Sequence, residues 1–523
     1  MLTKLSWLLI TIAVVYAAVI QVIFPRYIVD DAYISFRYAE NLALRGELNW
    51  NVGEDPVEGY TGVAYHVLLA GFIKAGISPI SASRFIGIFS FWLGFLMLYL
   101  IARRLELAPL FTGSLVLLYA TTPVLFTHVF SGMETMLFVA FVLASLLAAL
   151  SKRDSVLSLL LLLTSLVRPE GVALSAFLFI AVGIARYREN REAFNRFFKN
   201  FLLIYFLPAA AYFAWRFFYY GQLLPNTFYA KSGLGFHAPT LVDIARFIRR
   251  YFAVPLLGLL LLFGVETDTL FKTLREWIRE RTAVFYVAAG ALFCTALAFV
   301  LANSHLIANF GHRLYTPFLP FVWLLLAFGW KLGFSSLQET KEAKPVRYTF
   351  AVSVFLILVL YQSLFQMVKI REEMEFARKQ VILHEDEHNA IGRELGQLLP
   401  PEETIIVYMD AGAIPYFSKL RTIDFGDLND ELLASHTLSP EERIDYFFSH
   451  KAAAAVMTSI DKERMQNEEE ETRIITDPRF KDYVLYKRFV PSDESIIYYE
   501  FVYLRKDVYA KLLREGKILE RLN

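Results

Sequence analysis

The sequence has almost no cysteine and little charge. Its single cysteine, Cys294, excludes a disulfide framework, a thiolate metal site and CxxC redox chemistry in the 523-residue chain. Charged residues make up 20% of the chain and hydrophobic residues 56%, a balance that is unsuited to a water-soluble protein of this length. The formal net charge is +1, so no overall attraction to nucleic acid or to an acidic partner is expected. The scarcity of charge predicts a membrane protein.

Long apolar runs fill the first two thirds of the chain. The first run, residues 5–24, has no charge and the length of about 20 residues with which a helix crosses a bilayer. It lacks a small-residue cleavage site before Pro25, which favours a retained helix over a signal peptide. Ten further runs bring the predicted crossings to about eleven: 85–102, 110–130, 133–150, 156–167, 172–185, 201–218, 254–265, 284–302, 314–330 and 348–368.

Basic residues predict the orientation of these crossings. Lys and Arg accumulate on the cytoplasmic side of short connections, and Lys4 and the basic loops 186–199, 272–281 and 331–347 all fall on one side. We therefore expect a multi-pass plasma-membrane protein with a cytoplasmic N-terminus. The loop 25–60 and the C-terminal part then lie outside. Segment 61–77 is also apolar, but a crossing there would break the alternation, so we expect a re-entrant or interfacial helix.

Charge returns after residue 368 and predicts a second domain. Residues 369–523 are numerous enough to form a core of their own. A polar helical stretch over 371–399 precedes strand-like patterns at 404–409, 452–457 and 496–503, and SPEE at 439–442 is a capping box that opens a helix to about residue 450. The predicted fold is an α-helical polytopic membrane domain over 1–368, followed by an extracytoplasmic soluble α/β domain over 369–523.

The loop 25–60 carries the first group of candidate functional residues. At helical spacing its polar side chains share one face: Asp30, Tyr33, Arg37 and Asn41. Asp31, Glu58 and Tyr60 add two carboxylates and a phenol to the same region. For the aspartate pair alone, a helix cap with a solvated arginine is an equally simple interpretation. Mixtures of carboxylates, amides and aromatic rings of this kind bind sugars.

Later turns on the same predicted side add cations and further carboxylates. They hold Glu134, Arg168, Glu170, Asn226, Tyr229, Lys231, His312, Arg313 and Tyr315. Pairing within a turn or anchoring to lipid headgroups would explain some of these charges. Together they suit a site that binds a phosphate and activates a hydroxyl. Sugar transfer from a polyprenyl phosphate has these requirements: an apolar groove for the lipid, cations for the phosphate and a carboxylate base, here Asp30 or Asp31.

An ordered series of motifs carries a family resemblance. The series is DDAYISFRYA at 30–39, VEGYT at 57–61, GME at 132–134, RPEG at 168–171, PNTFYAK at 225–231, HRLY at 312–315, DAGAIPY at 410–416 and DFGDLND at 424–430. It resembles the motifs of GT-C membrane glycosyltransferases, in the branch of the mycobacterial terminal β-(1→2) arabinofuranosyltransferase and its relatives.

The resemblance implies a GT-C fold and inverting transfer of a sugar from polyprenyl phosphate, with Asp30 or Asp31 as the base. Glu58, Glu134 and Glu170 would then contact acceptor or donor. Arg168, Lys231 and Arg313 would be phosphate partners. The sugar would be a pentose such as arabinofuranose or a hexose such as mannose, and the acceptor a glycan, a lipid or a protein.

Two roles stay open at the level of the sequence. Four residues at predicted strand ends could capture the acceptor or could be ordinary turn and cap residues: Asp410, Asp424, Asn429 and Asp430. Asp30, Asp31 and Glu58 could hold Mg²⁺ or Ca²⁺ through oxygen ligands, although a mechanism that uses Arg and Lys without a cation is equally compatible.

Two other functional classes are compatible with a polytopic chain. A transporter or lipid-linked sugar flippase would show inverted repeats and ionisable residues near the middle of its spans. The sequence shows no internal repeat, and its charges gather at the ends of the runs. A sensor or assembly factor would work through the soluble domain alone, and eleven spans with polar loops are excessive for an anchor.

Overall fold

The computed structural model describes residues 2–230, 238–257, 290, 307–339, 345–467 and 469–519. Helices dominate the first part of the chain. They are α1 (Leu2–Ile23), α2 (Asp30–Arg45), α3 (Val63–Lys74), α4 (Pro79–Arg104), α5 (Pro109–Thr121), α6 (Pro123–Phe130), α7 (Thr135–Leu150), α8 (Asp154–Val167), α9 (Glu170–Glu189), α10 (Arg191–Asn200), α11 (Leu207–Tyr220), α12 (Asn226–Ala230), α13 (Ala238–Tyr251), α14 (Leu319–Glu339) and α15 (Pro345–Leu383).

Six of the described helices are long and apolar enough to cross a membrane, as in a multi-pass membrane protein. They are Thr3–Ile23, Pro79–Arg104, Glu170–Glu189, Arg191–Tyr220, Phe310–Lys331 and Thr349–Leu398. Two predicted runs, 133–150 and 156–167, form the shorter apolar helices α7 and α8. Most of the runs 254–265 and 284–302 lies outside the described residues, so the expected total of about eleven stays a prediction.

The predicted run 110–130 is two helices rather than one. Helices α5 and α6 meet at an angle of 52° between Thr121 and Pro123. Pro123 has no backbone N–H to donate and its ring clashes with the preceding turn, so a straight helix cannot continue through it. The bend brings the end of α6, with the buried His128, to the turn that precedes α7.

Helix α3 occupies the segment 61–77, for which the sequence predicts a re-entrant or interfacial helix. Its 12 residues extend only about 18 Å at the usual helical rise. The hydrocarbon core of a bilayer is about 30 Å thick. Helix α3 is therefore too short to cross, and it packs against α2, α4 and α8.

The last long helix joins the membrane part to the C-terminal domain. Helix α15 begins at Pro345, contains the apolar run 348–368 and continues as a polar helix to Leu383. A π-helical turn, His384–His388, then leads into α16 (Asn389–Leu398). Because one helix passes through residue 368 without a break, the proposed division of the chain at this position stays a prediction.

The C-terminal part contains a five-stranded sheet of order β2-β1-β3-β5-β4. Its strands are β1 (Thr404–Val407), β2 (Arg421–Asp424), β3 (Ala454–Ser459), β4 (Tyr483–Phe489) and β5 (Tyr499–Arg505). Strand β1 pairs in parallel with β2 and β3, whereas β5 is antiparallel to β3 and β4. The three strand patterns in the sequence match β1, β3 and β5. The sequence analysis missed β2 and β4.

Helices cover both faces of this sheet and give it two apolar cores. They are α16, α17 (Ala413–Ser418), α18 (Glu431–Ala434), α19 (Pro440–Ser449), α20 (Glu469–Thr476) and α21 (Lys506–Arg514). The capping box predicted at Ser439 is present, with Glu442 as its partner. A small α/β domain at the end of a helical bundle, as the sequence predicts, is confirmed.

Candidate active site

Asp30 and Asp31 begin α2 but face different neighbours. The Asp30 carboxylate accepts hydrogen bonds from the backbone N–H groups of Gly412 and Ala413, at 2.7 and 2.8 Å. The Asp31 carboxylate lies 3.3 Å from the Arg313 guanidinium and keeps 44% of its side chain exposed. Consecutive helical residues point about 100° apart, which separates the two roles. Asp30 binds the C-terminal domain, and Asp31 stays accessible.

The contact between Asp30 and the C-terminal domain is close. A Cβ atom on Gly412 would lie 2.1 Å from the Asp30 carbonyl oxygen, so only glycine allows this approach. The Nδ1 atom of His388 is 3.4 Å from the Asp30 carboxylate. Burial alone would raise the pKa of Asp30, but His388, His384 and the backbone N–H of Ala413 outweigh it and lower that pKa.

A compact ion cluster forms between the turns that precede α7 and α9. Arg168 donates to Glu134 at 3.0 Å and to Glu170 at 2.8 Å, and all three side chains are largely buried. Burial lowers the pKa of Arg168, but the two carboxylates outweigh it and raise that pKa overall. The sequence predicts these residues as ligands of donor or acceptor. In the structure they bind one another first, and Arg313 lies within electrostatic range of Glu170.

The segment between Ile307 and Phe318 brings His312, Arg313 and Tyr315 to the same end of the bundle. The Nδ1 atom of His312 lies 3.4 Å from Asp243 of α13, and its ring stacks on that of Tyr315. The carbonyl oxygen of the preceding residue, Gly311, is 2.8 Å from the Nε2 atom of His128. These contacts fix the position from which Arg313 reaches Asp31.

The face of α2 that carries Tyr33, Arg37 and Asn41 is covered. Arg37 donates to the carbonyl oxygens of Pro415 and Leu420, at 2.7 and 2.9 Å. Tyr33 packs against aromatic rings of α17. Asn41 donates to the backbone carbonyl oxygen of Asn49, in the loop after α2. Burial lowers the pKa of Arg37 to about 10. The shared helical face is therefore present, and its side chains hold the loop and the C-terminal domain together.

Glu58 and Tyr60 make buried contacts with α11. The Glu58 carboxylate is bound by Arg216, with the Nε atom 3.0 Å away, and the hydroxyls of Tyr60 and Tyr220 are 2.9 Å apart. Burial raises the pKa of Glu58 to about 7. Arg216 is not among the residues predicted from the sequence, although a lone arginine within the apolar run 201–218 is the kind of residue that needs a partner.

The motif at 225–231 is only partly within the described residues. Asn226 and Tyr229 lie on the short helix α12. The backbone N–H of Asn226 donates to the carbonyl oxygen of Glu58 at 3.1 Å, which ties this helix to the first loop. Lys231 lies outside the described residues.

Three of the four acceptor candidates in the C-terminal domain make turn and cap contacts. Asp424 accepts from the backbone N–H groups of Gly426 and Asn429, at 2.7 and 2.9 Å. Asn429 also accepts from the Tyr38 hydroxyl of α2, and Asp430 caps α18. These contacts favour the turn and cap interpretation for the three. Asp410 differs, because its carboxylate contacts Tyr498 and lies 3.9 Å from His388.

The sequence left open whether Asp30, Asp31 and Glu58 hold a cation through oxygen ligands, and the structure favours other pairings for two of them. Among the residues that the structure describes, the side-chain groups able to hold an ion include Asp30 but neither Asp31 nor Glu58. The reason is the pairing of Asp31 with Arg313 and of Glu58 with Arg216. Two groups of possible ligands exist instead: Asp30, His384 and His388, and His388, Asp410 and Glu500.

Comparison with solved structures decides the fold. The chain is similar to ArnT from Cupriavidus metallidurans in the apo state, with a TM-score of 0.55 and 12% sequence identity over 97% of this chain and 99% of that chain. The chain has a GT-C fold. The same protein bound to undecaprenyl phosphate gives a TM-score of 0.55 and 14% identity, over 96% of this chain and 98% of that chain.

Other comparisons say less about this GT-C chain. The Archaeoglobus fulgidus oligosaccharyltransferase tethered with an acceptor peptide gives a TM-score of 0.48 and 13% identity over 94% of this chain and 74% of that chain. Residues 373–506 match the family model of a domain of unknown function, DUF8728. No curated protein matches the chain. The expected GT-C fold is thus confirmed over nearly the whole chain.

Proposed function

We propose that this GT-C chain is an inverting glycosyltransferase that moves a sugar from a polyprenyl phosphate to an extracytoplasmic acceptor, with Asp31 as the general base. The observation that carries the proposal is the accessible Asp31 carboxylate beside Arg313 at one end of the helical bundle. A base must reach the proton that it removes. Asp30 accepts two backbone hydrogen bonds from the C-terminal domain, which leaves Asp31 as the better placed of the pair.

The proposed reaction is a single displacement. An acceptor hydroxyl oxygen forms a bond to the anomeric carbon, and the bond from that carbon to the phosphate oxygen breaks with its electron pair. The hydroxyl proton goes to the Asp31 carboxylate, and polyprenyl phosphate leaves with the added negative charge. Because attack and departure are on opposite faces of the carbon, the anomeric configuration inverts. No redox partner is required.

Arg313 is the proposed partner of the phosphate. A guanidinium can bind phosphate oxygens through two parallel N–H groups, and this one already lies next to the proposed base. Lys231 is a second proposed phosphate partner from the motif series. Arg168 has a different place in the proposal, because its bonds to Glu134 and Glu170 are made within the cluster. It would hold these carboxylates in position at the edge of the site.

The lipid tail needs an apolar path along the bundle. ArnT has been solved with undecaprenyl phosphate bound, and this chain shares its fold. A small apolar cavity of about 30 Å³ lies between α5, α14 and α15, with Trp323 and Trp330 in its lining, and a prenyl chain would have to widen it. Helix α14 follows closely after Arg313 in the chain. We propose that the phosphate sits at Arg313 and that the prenyl chain follows α14 into the bundle.

Radiolabelled sugar donors test this proposal. Purified full-length chain receives arabinofuranosyl or mannosyl polyprenyl phosphate together with glycan, lipid or peptide acceptors. Label should move to one of the acceptors with inversion, and Asp31→Asn should slow turnover by about 10²–10⁴-fold, as loss of a general base does. Asp55→Asn, an exposed acid of the same loop, is the matched control. Wild-type rates in Asp31→Asn would remove the base assignment, and release of intact donor across the bilayer without transfer would favour a flippase.

A further inference from the structure

A buried group of ionisable side chains lies where α2 meets the C-terminal domain. It consists of Asp30, His384, Glu387, His388, Asp410 and Glu500. Three of these residues, Glu387, His388 and Glu500, are almost completely excluded from solvent. They come from four places in the chain: the start of α2, the π-helical turn after α15, the loop after β1, and strand β5. The proposed chemistry of Asp31 does not use them.

Several atoms of this group are buried and have no hydrogen-bond partner among the residues that the structure describes. They are Nδ1 of His384, both carboxylate oxygens of Glu387, both ring nitrogens of His388 and Oε2 of Glu500. A buried polar atom without a partner costs about 1–3 kcal/mol, and more when it is charged. So many such atoms at one place in a folded protein call for a bound water, ligand or ion.

The spacing of the donor atoms suits a metal ion. One ligand atom each from Asp30, His384 and His388 lies within 4.8 Å of the others. In a tetrahedral zinc site with bonds of about 2.0–2.2 Å, neighbouring ligand atoms are about 3.4 Å apart. Small side-chain rotations would therefore close the site. His384 and His388 also bracket a π-helical turn, an irregularity that is frequent at functional sites.

We propose that Asp30, His384 and His388 bind one zinc ion, which fastens the C-terminal domain to α2. Two imidazoles and one carboxylate favour zinc over Mg²⁺ and Ca²⁺, which prefer oxygen ligands alone. Three protein ligands leave a fourth tetrahedral position that water can occupy. The ligand set differs from the oxygen-only set that the sequence left open, with which it shares only Asp30.

The carboxylates on the other side of His388 fit this arrangement. Metal-binding histidines generally direct their second ring nitrogen to a carboxylate or carbonyl oxygen, which fixes the ring orientation. The Nδ1 atom of His388 faces Asp30 at 3.4 Å. The Nε2 atom of the same ring lies 3.9 Å from both the Asp410 and the Glu500 carboxylates. Asp410 also accepts from the Tyr498 hydroxyl. These acids would hold the imidazole toward the metal.

A metal-free arrangement is the competing explanation. Burial lowers the pKa of His388, but Asp410 and Asp30 outweigh it and raise that pKa to about 9. A protonated His388 could then bridge two carboxylates without an ion. This arrangement leaves His384 with no role, because its Nδ1 still has no partner in the described part of the chain. The two explanations therefore differ in metal content and in the need for His384.

The zinc content of the purified protein distinguishes the two explanations directly. Because this measurement does not depend on transferase activity, the zinc proposal and the proposed function can fail separately. The full-length chain, purified through a tag without histidine, is dialysed against Zn²⁺ and then against buffer, and metal is counted by mass spectrometry. About one zinc per chain is expected, with a loss of about tenfold or more in His384→Gln and in His388→Gln. His436→Gln is the control, because His436 is an exposed histidine of the same domain and should leave the zinc in place.

Cobalt substitution in the wild-type chain tests the zinc proposal even if the glutamine variants fail to fold. Wild-type chain loaded with Co²⁺ should show the visible bands of a tetrahedral site with nitrogen and oxygen ligands, and Zn²⁺ should displace them. Removal of the metal by a chelator should speed hydrogen exchange in α2 and in residues 410–418. Wild-type chain that binds neither metal stoichiometrically, or variants that retain full zinc, would overturn the proposal.

Discussion

Substitution of Gly412 by alanine tests how the C-terminal domain is held on α2. The added methyl group would lie 2.1 Å from the Asp30 carbonyl oxygen and 2.4 Å from the Asp30 carboxylate. Real Cβ atoms do not approach other atoms so closely, and the nearest atom here is rigid backbone. The domain must therefore move away from α2, and both hydrogen bonds from 412 and 413 to the Asp30 carboxylate lengthen or break.

The expected cost follows from those two bonds. A hydrogen bond to a charged group contributes about 1.5–3 kcal/mol to stability, so loss of both would weaken docking by about 3–6 kcal/mol if nothing relaxes. Partial relaxation and the small exposed fraction of Asp30 reduce this figure, and about 2–4 kcal/mol is a reasonable expectation. Since 1.4 kcal/mol corresponds to a factor of ten, local opening should become roughly 30- to 1,000-fold more frequent.

Hydrogen exchange by mass spectrometry measures this opening in the full-length chain. Peptides from the start of α2 and from residues 410–418 should exchange faster by about that factor in Gly412→Ala, while peptides from α4 should not change. Gly71→Ala is the control, because a Cβ there meets no other atom within 4 Å. Equal exchange in Gly412→Ala and in the wild type would refute the docking role assigned to Asp30.

Two further predictions concern groups with perturbed electrostatics. Arg168→Gln leaves the carboxylates of Glu134 and Glu170 without their shared cation, which should cost about 3–5 kcal/mol of stability and lower the thermal unfolding midpoint. Arg103→Gln, at an exposed helix end, is the control and should leave the midpoint unchanged. Equal midpoints for the two variants would contradict the stabilising role of the ion cluster. Burial raises the pKa of Asp424 to about 7, so its contribution to stability is present below the unfolded pKa of about 4 and is lost as the pH rises through 7. Hydrogen exchange of the β2 amides, corrected for the pH dependence of the intrinsic exchange rates, should accelerate from pH 5 to 8 in the wild type and less so in Asp424→Asn. Identical pH profiles for the two proteins would contradict the raised pKa of Asp424.

Much of the fold follows from patterns that are local in the sequence. Apolar run length predicts the spans, and Ser439 with Glu442 predicts the start of α19 through the capping box. The bend at Pro123 could also have been predicted from the sequence, because proline breaks the helical hydrogen-bond ladder. Strands β2 and β4 were missed. Strand β2 has four residues like β1, but it begins and ends on charged residues, Arg421 and Asp424. The middle of β4 is half-buried rather than alternating between core and solvent.

The site could be predicted only as a set of residue types. The sequence places Asp30 and Asp31 together, but their different roles depend on Gly412 and Arg313, which lie hundreds of residues later in the chain. The group around His388 was missed for the same reason, since its contact with Glu500 joins an α-helical linker to a distant strand. Contacts of this kind depend on how the domains pack against each other. The spacing of residues within one segment of the sequence does not predict that packing.

A structure of the full-length chain with bound polyprenyl phosphate tests the central claim most directly. The account predicts that the phosphate lies within hydrogen-bonding distance, about 3 Å, of the Arg313 guanidinium, with the Asp31 carboxylate on the same side of the bundle and the prenyl chain along α14. A phosphate bound at the opposite ends of the spans, beside Arg103 and Arg104, with nothing near Asp31, would contradict it.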